Sequence, residues 1–239
     1  MLKAKIDNFF WIVSTFLLAP FFYTLIFLRK RNSRNKPSVL VISTNKIGDM
    51  VCMTPVFREI KKNYPSCRLT AIVNPLSEDI LKNNPRIDEI ISMKDYPGIA
   101  RKLGLLNKLR KSNYDFGLVL TPTEAFFNII TFWSLIPLRM TTTHRPLGRT
   151  HRLLSHFSNR RLEYQRHALI LRHFLELLRF IGIEDCSEDK ELFTTKEEDQ
   201  KSLDFLKSHN LNEGDLIVGI SVTAGVKLKE WQEEKFAEL

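Results

Sequence analysis

The chain has 239 residues, of which 44% are hydrophobic, and a formal charge of +9. That length holds one large domain or two small ones, and the composition supports a packed core rather than a disordered or fibrous chain. The charge favours an anionic partner (a phosphate-rich substrate, a nucleic acid or an acidic membrane surface) without choosing among them. Cys52, Cys67 and Cys186 are far apart, odd in number and in no CxxC or His-paired spacing. This argues against a disulfide scaffold or zinc site and for a reducing compartment.

The first element is the run Phe9 to Leu28, "FFWIVSTFLLAPFFYTLIFL", which carries no charge. About 20 apolar residues of helix span the hydrocarbon core of a bilayer. A buried helix of a soluble protein is the competing reading, although such a helix normally shows a polar face. The run is longer than a signal-peptide core and has no small-residue cleavage site before the basic segment "RKRNSRNK". Arg29, Lys30, Arg31, Arg34 and Lys36 outweigh Lys3 and Lys5, which puts the C-terminal side in the cytoplasm. Pro20 predicts a kink, so a membrane-dipping hairpin with both ends cytoplasmic stands beside a full span.

From "KPSVLVIS" onward, apolar β-branched runs alternate with helical patterns. Strands are expected at Val39–Ile42, Leu69–Val73, Glu89–Ile91 and Phe116–Leu120. Helices are expected at about Val51–Asn63, Ser77–Asn83, Gly98–Lys111 and Glu124–Leu135. This alternation predicts an α/β fold with a parallel sheet of βαβ units. Residues 139 to 161 are polar and basic, and "YQRHALILRHFLELLRFIGI" has helical spacing that ends at Gly182, a C-cap position. An acidic linker follows, then a charged helix to about Ser208. "LIVGISV" is expected to be a new buried strand, "TAGVKLKEW" a loop and "QEEKFAEL" the start of a helix. A strand, a loop and one helix bury too little to stand as a domain. The chain is therefore expected to be the front part of a longer protein, the alternative being that this piece packs on the first sheet.

The chemistry concentrates in "VLVISTNKIGDMVCMTPVFREIKKNYP". In an open α/β sheet, ligands bind beyond the carboxyl ends of the strands, where Asp49 stands. By spacing alone Asp49 is a turn residue, a helix N-cap or a catalytic base. Gly48 is expected to permit a tight backbone there. The loop has neither GxGxxG nor GxxxxGK[ST], so dinucleotide and P-loop readings have no motif.

These residues resemble the N-terminal motif of glycosyltransferase family 9, the ADP-heptose:lipopolysaccharide heptosyltransferases. The matching positions are Ile47–Gly48–Asp49, Thr54–Pro55, Tyr64–Pro65, Asn84–Pro85 with Asp88–Glu89, and the strand "YDFGLVL" at 114–120. "IVGISVTAGVKLKEWQEEKFAEL" is similar to the start of the family's second domain. The resemblance covers about residues 38 to 239. The chain departs from the family pattern at Gln232, where Pro is usual, in "SVTAG" for the usual "HPGAG", and in the glycine and arginine missing after the fourth strand. The resemblance implies the Rossmann-like N-terminal domain of a GT-B fold, with an N-terminal membrane helix and a truncated second domain. The implied division is 1–36 membrane anchor and basic flank, 37–183 acceptor domain, 184–214 linker and helix, and 215–239 the incomplete start of the nucleotide-sugar domain. It implies transfer of a heptose-like sugar from an ADP-sugar to a lipopolysaccharide-type lipid-linked acceptor, inverting, without metal or cofactor, at the cytoplasmic face of the inner membrane. Asp49 then matches the general base. Lys229 matches a donor-pyrophosphate lysine, and Thr223, Ala224 and Gly225 match the loop beside that pyrophosphate. The truncated chain is expected to be inactive in efficient transfer. The alternative is a catalytically incomplete, membrane-tethered glycolipid-binding domain.

Eight arginines (139, 145, 149, 152, 160, 161, 166 and 172) fall in one stretch against Glu163. They are either a solvated surface or a docking face for phosphate or carboxylate groups, which the guanidinium fork suits. Lys46, Arg145, Arg149 and Arg152 are the docking candidates. The nearby histidines lack zinc-ligand spacing. Nucleic-acid binding has only charge behind it, because the aromatics sit in apolar runs and form no stacking platform.

Overall fold

The computed structural model describes residues 2–29, 36–44, 46–121, 125–143, 148–163, 165, 168–212, 214–223, 227 and 230–238. Two compact units divide at Phe193/Thr194.

The first unit is built on six parallel strands: β1 Ser38–Ser43, β2 Arg68–Val73, β3 Glu89–Ser92, β4 Phe116–Thr121, β5 Leu138–Thr143 and β6 Arg160–Glu163. Their spatial order is β3-β2-β1-β4-β5-β6, and every pairing is parallel. This is the order of a Rossmann sheet, which reverses direction between β1 and β4 and leaves a crevice at their carboxyl ends. Near that crevice the β1–β4 register slips: Ile42 faces Val119 but Ser43 faces Thr121, so Leu120 is the extra residue. Such a bulge increases local twist and splays the strand ends.

The four expected strands form where the β-branched runs lie, and the helix Gly98–Lys111 has the expected limits. Strands β5 and β6 were not foreseen. Residues 138–143, "LRMTTT", give no clean alternation, and 160–163, "RRLE", make a short edge strand that is largely exposed. Partners far away in sequence, β4 for β5 and β5 for β6, bring them into the sheet.

Two helical layers cover the sheet, because alternate side chains of a strand point to opposite faces. Val39 and Val41 face one layer: α2 Ile47–Asn63, α3 Glu78–Leu81 and α7 Ile170–Glu176, the last continuing as a 3-10 turn to Ile181. Gly182, at φ +78°, ends that turn in the left-handed conformation favoured by glycine. Leu40 and Ile42 face the other layer: α1 Leu2–Leu28, α4 Gly98–Lys111, α5 Ala125–Trp133 and α6 Gly148–Leu154. Gly117 of β4 admits α5 closely, since a Cβ there would lie 2.8 Å from the Thr131 methyl.

Helix α1 is continuous from Leu2 to Leu28 with Pro20 inside it, so of the two arrangements left open for this segment the hairpin does not form. Proline removes one N–H and crowds the preceding turn, and the helix carries on on either side of that single lost bond. One stripe of α1 is fully packed. Trp11 is 0% exposed and lies against Phe126 (4.8 Å between ring centroids) and Trp133 (5.2 Å), and Phe22 lies against Trp133 (5.0 Å). The buried Thr15 hydroxyl accepts the Trp133 indole N–H at 2.8 Å. Arg29 then closes over the far ends of α4 and α5, donating to the Asn113 side chain (2.7 Å) and to the Leu135 carbonyl. A cation suits this place, because helix C-termini leave carbonyls unpaired and negative.

The second unit holds α8 Lys196–Ser208 and α9 Glu233–Ala237. Helix α8 starts with a capping box: Thr195 accepts the Glu198 N–H while Glu198 reaches back to the Thr195 N–H. The expected buried strand at "LIVGISV" is absent. Residues 215–223 have no strand conformation and are exposed, Leu216 to 92%. The apolar, β-branched pattern favours a strand, but a strand exists only where a neighbour pairs with it. The loop residues Ala224, Gly225 and Lys229 lie outside the described residues, and Thr223 is exposed.

Candidate active site

The carboxyl end of β1 leads through residues 44–46 into α2, and this connection places Asp49. Asp49 is in the first turn of α2 and exposed. It is not the N-cap. Lys46 holds that position, in extended conformation and with no side-chain cap. An acid in the first turn still complements the positive end of the helix. Gly48 is likewise no turn residue: it lies within α2, its φ is negative, and a Cβ would meet nothing within 4 Å.

The other motif residues are engaged in holding the scaffold. Pro55 cannot donate to the Val51 carbonyl, and the Thr54 hydroxyl takes over that acceptor at 2.8 Å. The same Thr54 oxygen accepts the Glu191 N–H at 3.0 Å, so the Thr-Pro pair also latches the segment after α7 to α2. The latch is strengthened by the ion pair of Glu191 with Arg86 and by Arg58 of α2, which donates to the Ser187 carbonyl at 2.8 Å and to the Asp189 carbonyl. Tyr64 caps α2 and donates its hydroxyl to the Ile181 carbonyl at 2.6 Å. Asp88 accepts the Leu69 N–H (2.6 Å) and Lys61 (2.7 Å), joining β2 to the start of β3. Glu89 pairs with Arg68 and Lys108, each at 2.7 Å. Asp115 accepts the Ser38 N–H at 2.9 Å, and the Tyr114 hydroxyl donates to Thr70 at 2.9 Å. Burial raises the Tyr114 phenol above its ordinary value, outweighing that hydrogen bond.

Asp88, Glu89 and Asp115 are thus spent on the sheet. Among the described residues, no hydrogen bond or ion pair engages the Asp49 carboxylate. A carboxylate so placed is available to accept a proton from a hydroxyl brought to the crevice. Asn74 escaped the sequence reasoning. At the end of β2 it caps the following 3-10 turn by accepting the Leu76 N–H at 3.0 Å, and its amide reaches the Thr44 carbonyl at 3.4 Å. It thereby ties the loop before Asp49 to the neighbouring strand. An Asn-Pro pair directly after an apolar run was the available signal.

The basic stretch separates into unlike parts. Arg139 is 3% exposed and belongs to the core rather than to a docking face. It donates to the carbonyls of Phe157 (2.7 Å), Ile136 (2.7 Å) and Pro137 (3.2 Å), and lies over the Phe132 ring at 5.4 Å. Burial pushes its guanidinium down to about 10. Arg152, Arg160 and Arg161 are exposed, Arg172 pairs with Glu188 at 2.5 Å, and Lys46 is exposed beside Asp49. Arg145 lies outside the described residues, and of Arg149 only its place in α6 is described. His151 of α6 faces Asn128 of α5, with Nδ1 2.9 Å from the amide nitrogen, and burial lowers its imidazole.

No family model matches the chain. Lipopolysaccharide heptosyltransferase 3 of Escherichia coli K12 is 26% identical over 201 residues, which is 80% of this chain and 56% of that protein. A second heptosyltransferase 3 of Escherichia coli is 33% identical over 79 residues, 31% of this chain and 23% of that protein. A solved glycosyltransferase family 9 structure from Veillonella parvula superposes with a TM-score of 0.69 at 19% identity, covering 86% of this chain and 59% of that one. The chain resembles the glycosyltransferase family 9 heptosyltransferases. The Escherichia coli ADP-heptose lipopolysaccharide heptosyltransferase II gives a TM-score of 0.55 at 18% identity, with 73% and 51% coverage. Heptosyltransferase WaaC, in complex with ADP-2-deoxy-2-fluoro heptose, gives 0.51 at 16%, with 64% and 51% coverage. The chain therefore spans between half and three-fifths of the relatives that it matches along most of its own length. Its parallel Rossmann-like sheet is that of the GT-B neighbours.

Proposed function

We propose that this chain supplies the acceptor-side domain and the general base of a glycosyltransferase of lipopolysaccharide biosynthesis. The enzyme moves a heptose-like sugar from an ADP-sugar to a lipid-linked saccharide. Asp49 takes the proton of the acceptor hydroxyl as its oxygen attacks the anomeric carbon from the face opposite the diphosphate. The bond from that carbon to the diphosphate breaks, ADP leaves with the electron pair, and the anomeric configuration inverts. Lys229 and the backbone of Thr223–Gly225 hold the pyrophosphate and stabilise its developing charge. No metal has a role in this scheme. The reaction is placed at the cytoplasmic face of the inner membrane, with residues 9–28 providing attachment. Lys46, Arg145, Arg149 and Arg152 bind anionic groups of the acceptor, a reading supported by the exposure of Lys46 and Arg152.

The observation that carries this reading is the Asp49 carboxylate, exposed at the carboxyl end of β1 while the other motif carboxylates are bound into the sheet. Replacing Asp49 by Asn in the native gene product should lower sugar transfer by roughly 10²- to 10⁴-fold, the usual worth of a general base. Unfolding should be unchanged, because the side chain is exposed. Wild-type turnover in Asp49→Asn would overturn the assignment.

A further inference from the structure

Helix α1 has two unlike sides. Trp11, Thr15 and Phe22 are buried against α5, and Arg29 extends the same stripe. The opposite stripe, Phe9, Val13, Leu17, Phe21, Phe27 and Leu28, follows the same helical period and is exposed, Leu17 to 75% and Phe27 to 88%. Both stripes are apolar. The segment Asn8–Leu28 has a mean hydropathy of 2.0. A helix that is apolar all round needs cover on every side, and here the protein covers one.

The domain accompanies α1 from Trp11 to Arg29, a helical length of about 27 Å at 1.5 Å per residue. That is nearly the thickness of a hydrocarbon core, about 30 Å. Were α1 to stand across a bilayer, the elements docked along it would have to enter the hydrocarbon too. They include Arg110, at the end of α4, which lies over the Phe22 ring at 5.2 Å, and with it the exposed Lys111 next in sequence. Charged groups at that depth are costly.

Charge also separates the two layers. Helices α4, α5 and α6 carry no acid, and two of them are basic: Arg101, Lys102, Lys108, Arg110 and Lys111 are on α4, and Arg149 and Arg152 on α6. The opposite layer mixes the signs, with Asp49, Glu59, Glu78, Asp79 and Glu176 beside Arg58, Lys61, Lys62 and Arg172. An exposed apolar stripe within a layer whose other helices lack acids, followed in sequence by "RKRNSRNK", matches an anionic lipid surface.

We propose that α1 lies in the plane of an anionic leaflet, not across it, with the Phe9–Leu28 stripe among the acyl chains and the basic helices α4 and α6 toward the headgroups. This rests on the membrane attachment in the proposed function and is independent of heptosyl transfer. It puts the acceptor domain flat against the surface from which a lipid-linked acceptor would be presented.

The test uses the full chain. Flotation with phosphatidylcholine vesicles containing phosphatidylglycerol should show at least tenfold stronger binding than with phosphatidylcholine alone. The triple variant Leu17→Glu, Phe21→Glu, Phe27→Glu should lose at least tenfold in binding and keep the near-ultraviolet signal of the buried tryptophans. Should that signal fall, Phe27→Glu alone, at the most exposed side chain of the stripe, serves as the second variant. Orientation is read with Lys3→Cys in a Cys52→Ser, Cys186→Ser background, using a membrane-impermeant maleimide. Labelling in inverted inner-membrane vesicles and not in intact spheroplasts is expected. Labelling from the periplasmic side would overturn the in-plane arrangement and leave attachment standing. Failure of the wild type to float would overturn both. So would a dimer in solution that the triple variant dissolves, since a second copy would then be the cover.

Discussion

The two helical layers flank the same strand and are held by different forces. On the α2 side, motif residues are tied by directed hydrogen bonds: Thr54 to the Val51 carbonyl, Tyr64 to the Ile181 carbonyl, Asp88 to the Leu69 N–H. On the α1 side, rings pack on rings: Trp11, Phe22, Phe126, Phe132, Trp133 and Phe157 form one aromatic body, with Arg29, Arg110 and Arg139 bonded to carbonyls around it. The difference fits the work proposed for each. A base must be held to a fraction of an ångström by groups that fix direction. A surface meant for lipid needs bulk and apolar area more than direction.

The largest effect on stability is expected from Trp11→Ala. It removes a fully buried ring at the centre of the aromatic layer, and such truncations cost about 3–5 kcal/mol. Denaturant unfolding should shift accordingly, and amide exchange should quicken in α4 and α5 before α2. Equal loosening of both layers would break the comparison, because it would mean that α1 supports the whole sheet and not one face.

Thr54→Val keeps the shape and removes the hydroxyl. It leaves the Val51 carbonyl without its substitute donor and the Glu191 N–H without its acceptor, at an expected cost of about 1–3 kcal/mol. The loss should appear as faster exchange and proteolysis around residues 186–193, with the aromatic layer unaffected. An unchanged latch would assign that job to the Arg86–Glu191 pair and to Arg58.

The smallest effect concerns acid. Burial alone would raise the Glu89 carboxyl, but hydrogen bonds from Lys108 and Arg68 outweigh it and hold it below its ordinary value. A carboxylate lowered in the folded state contributes stability that is complete above the unfolded value and is lost as pH falls through the folded one. Glu89→Gln should therefore lower stability near neutrality by a small amount and converge on wild type as pH falls below the folded value, which flattens the acid limb. An acid limb identical to wild type would show that the Glu89 pairs are solvated contacts only.

Legibility followed the same division between the layers. The α2 side could be read from residues, because Thr-Pro, Tyr-Pro and the Asp49 position after an apolar run are local patterns with local causes. For Asp49 the structure removes the N-cap and turn readings, and for Gly48 the tight turn, by where α2 begins: starting at Ile47 makes Lys46 the cap and puts the glycine inside the helix. The α1 side could not be read, because an all-apolar helix has no periodic asymmetry to say which stripe is buried. Arg139 shows the converse. Counted among surface arginines by its neighbours in sequence, it is buried by three carbonyls and a phenyl ring that come from the fold.

What the sequence by itself determined is the alternation of the first four strands with their helices, the length of the apolar N-terminal segment, and a carboxylate at the carboxyl end of β1. These depend on side-chain period and on neighbours a few residues away. Tertiary structure alone decided that β5 and β6 join the sheet, that residues 215–223 do not form a strand, that Arg139 is interior, and which face of α1 is left outward. Each of these depends on a partner brought from far along the chain, and an extended segment or an apolar face takes its role only when that partner is present.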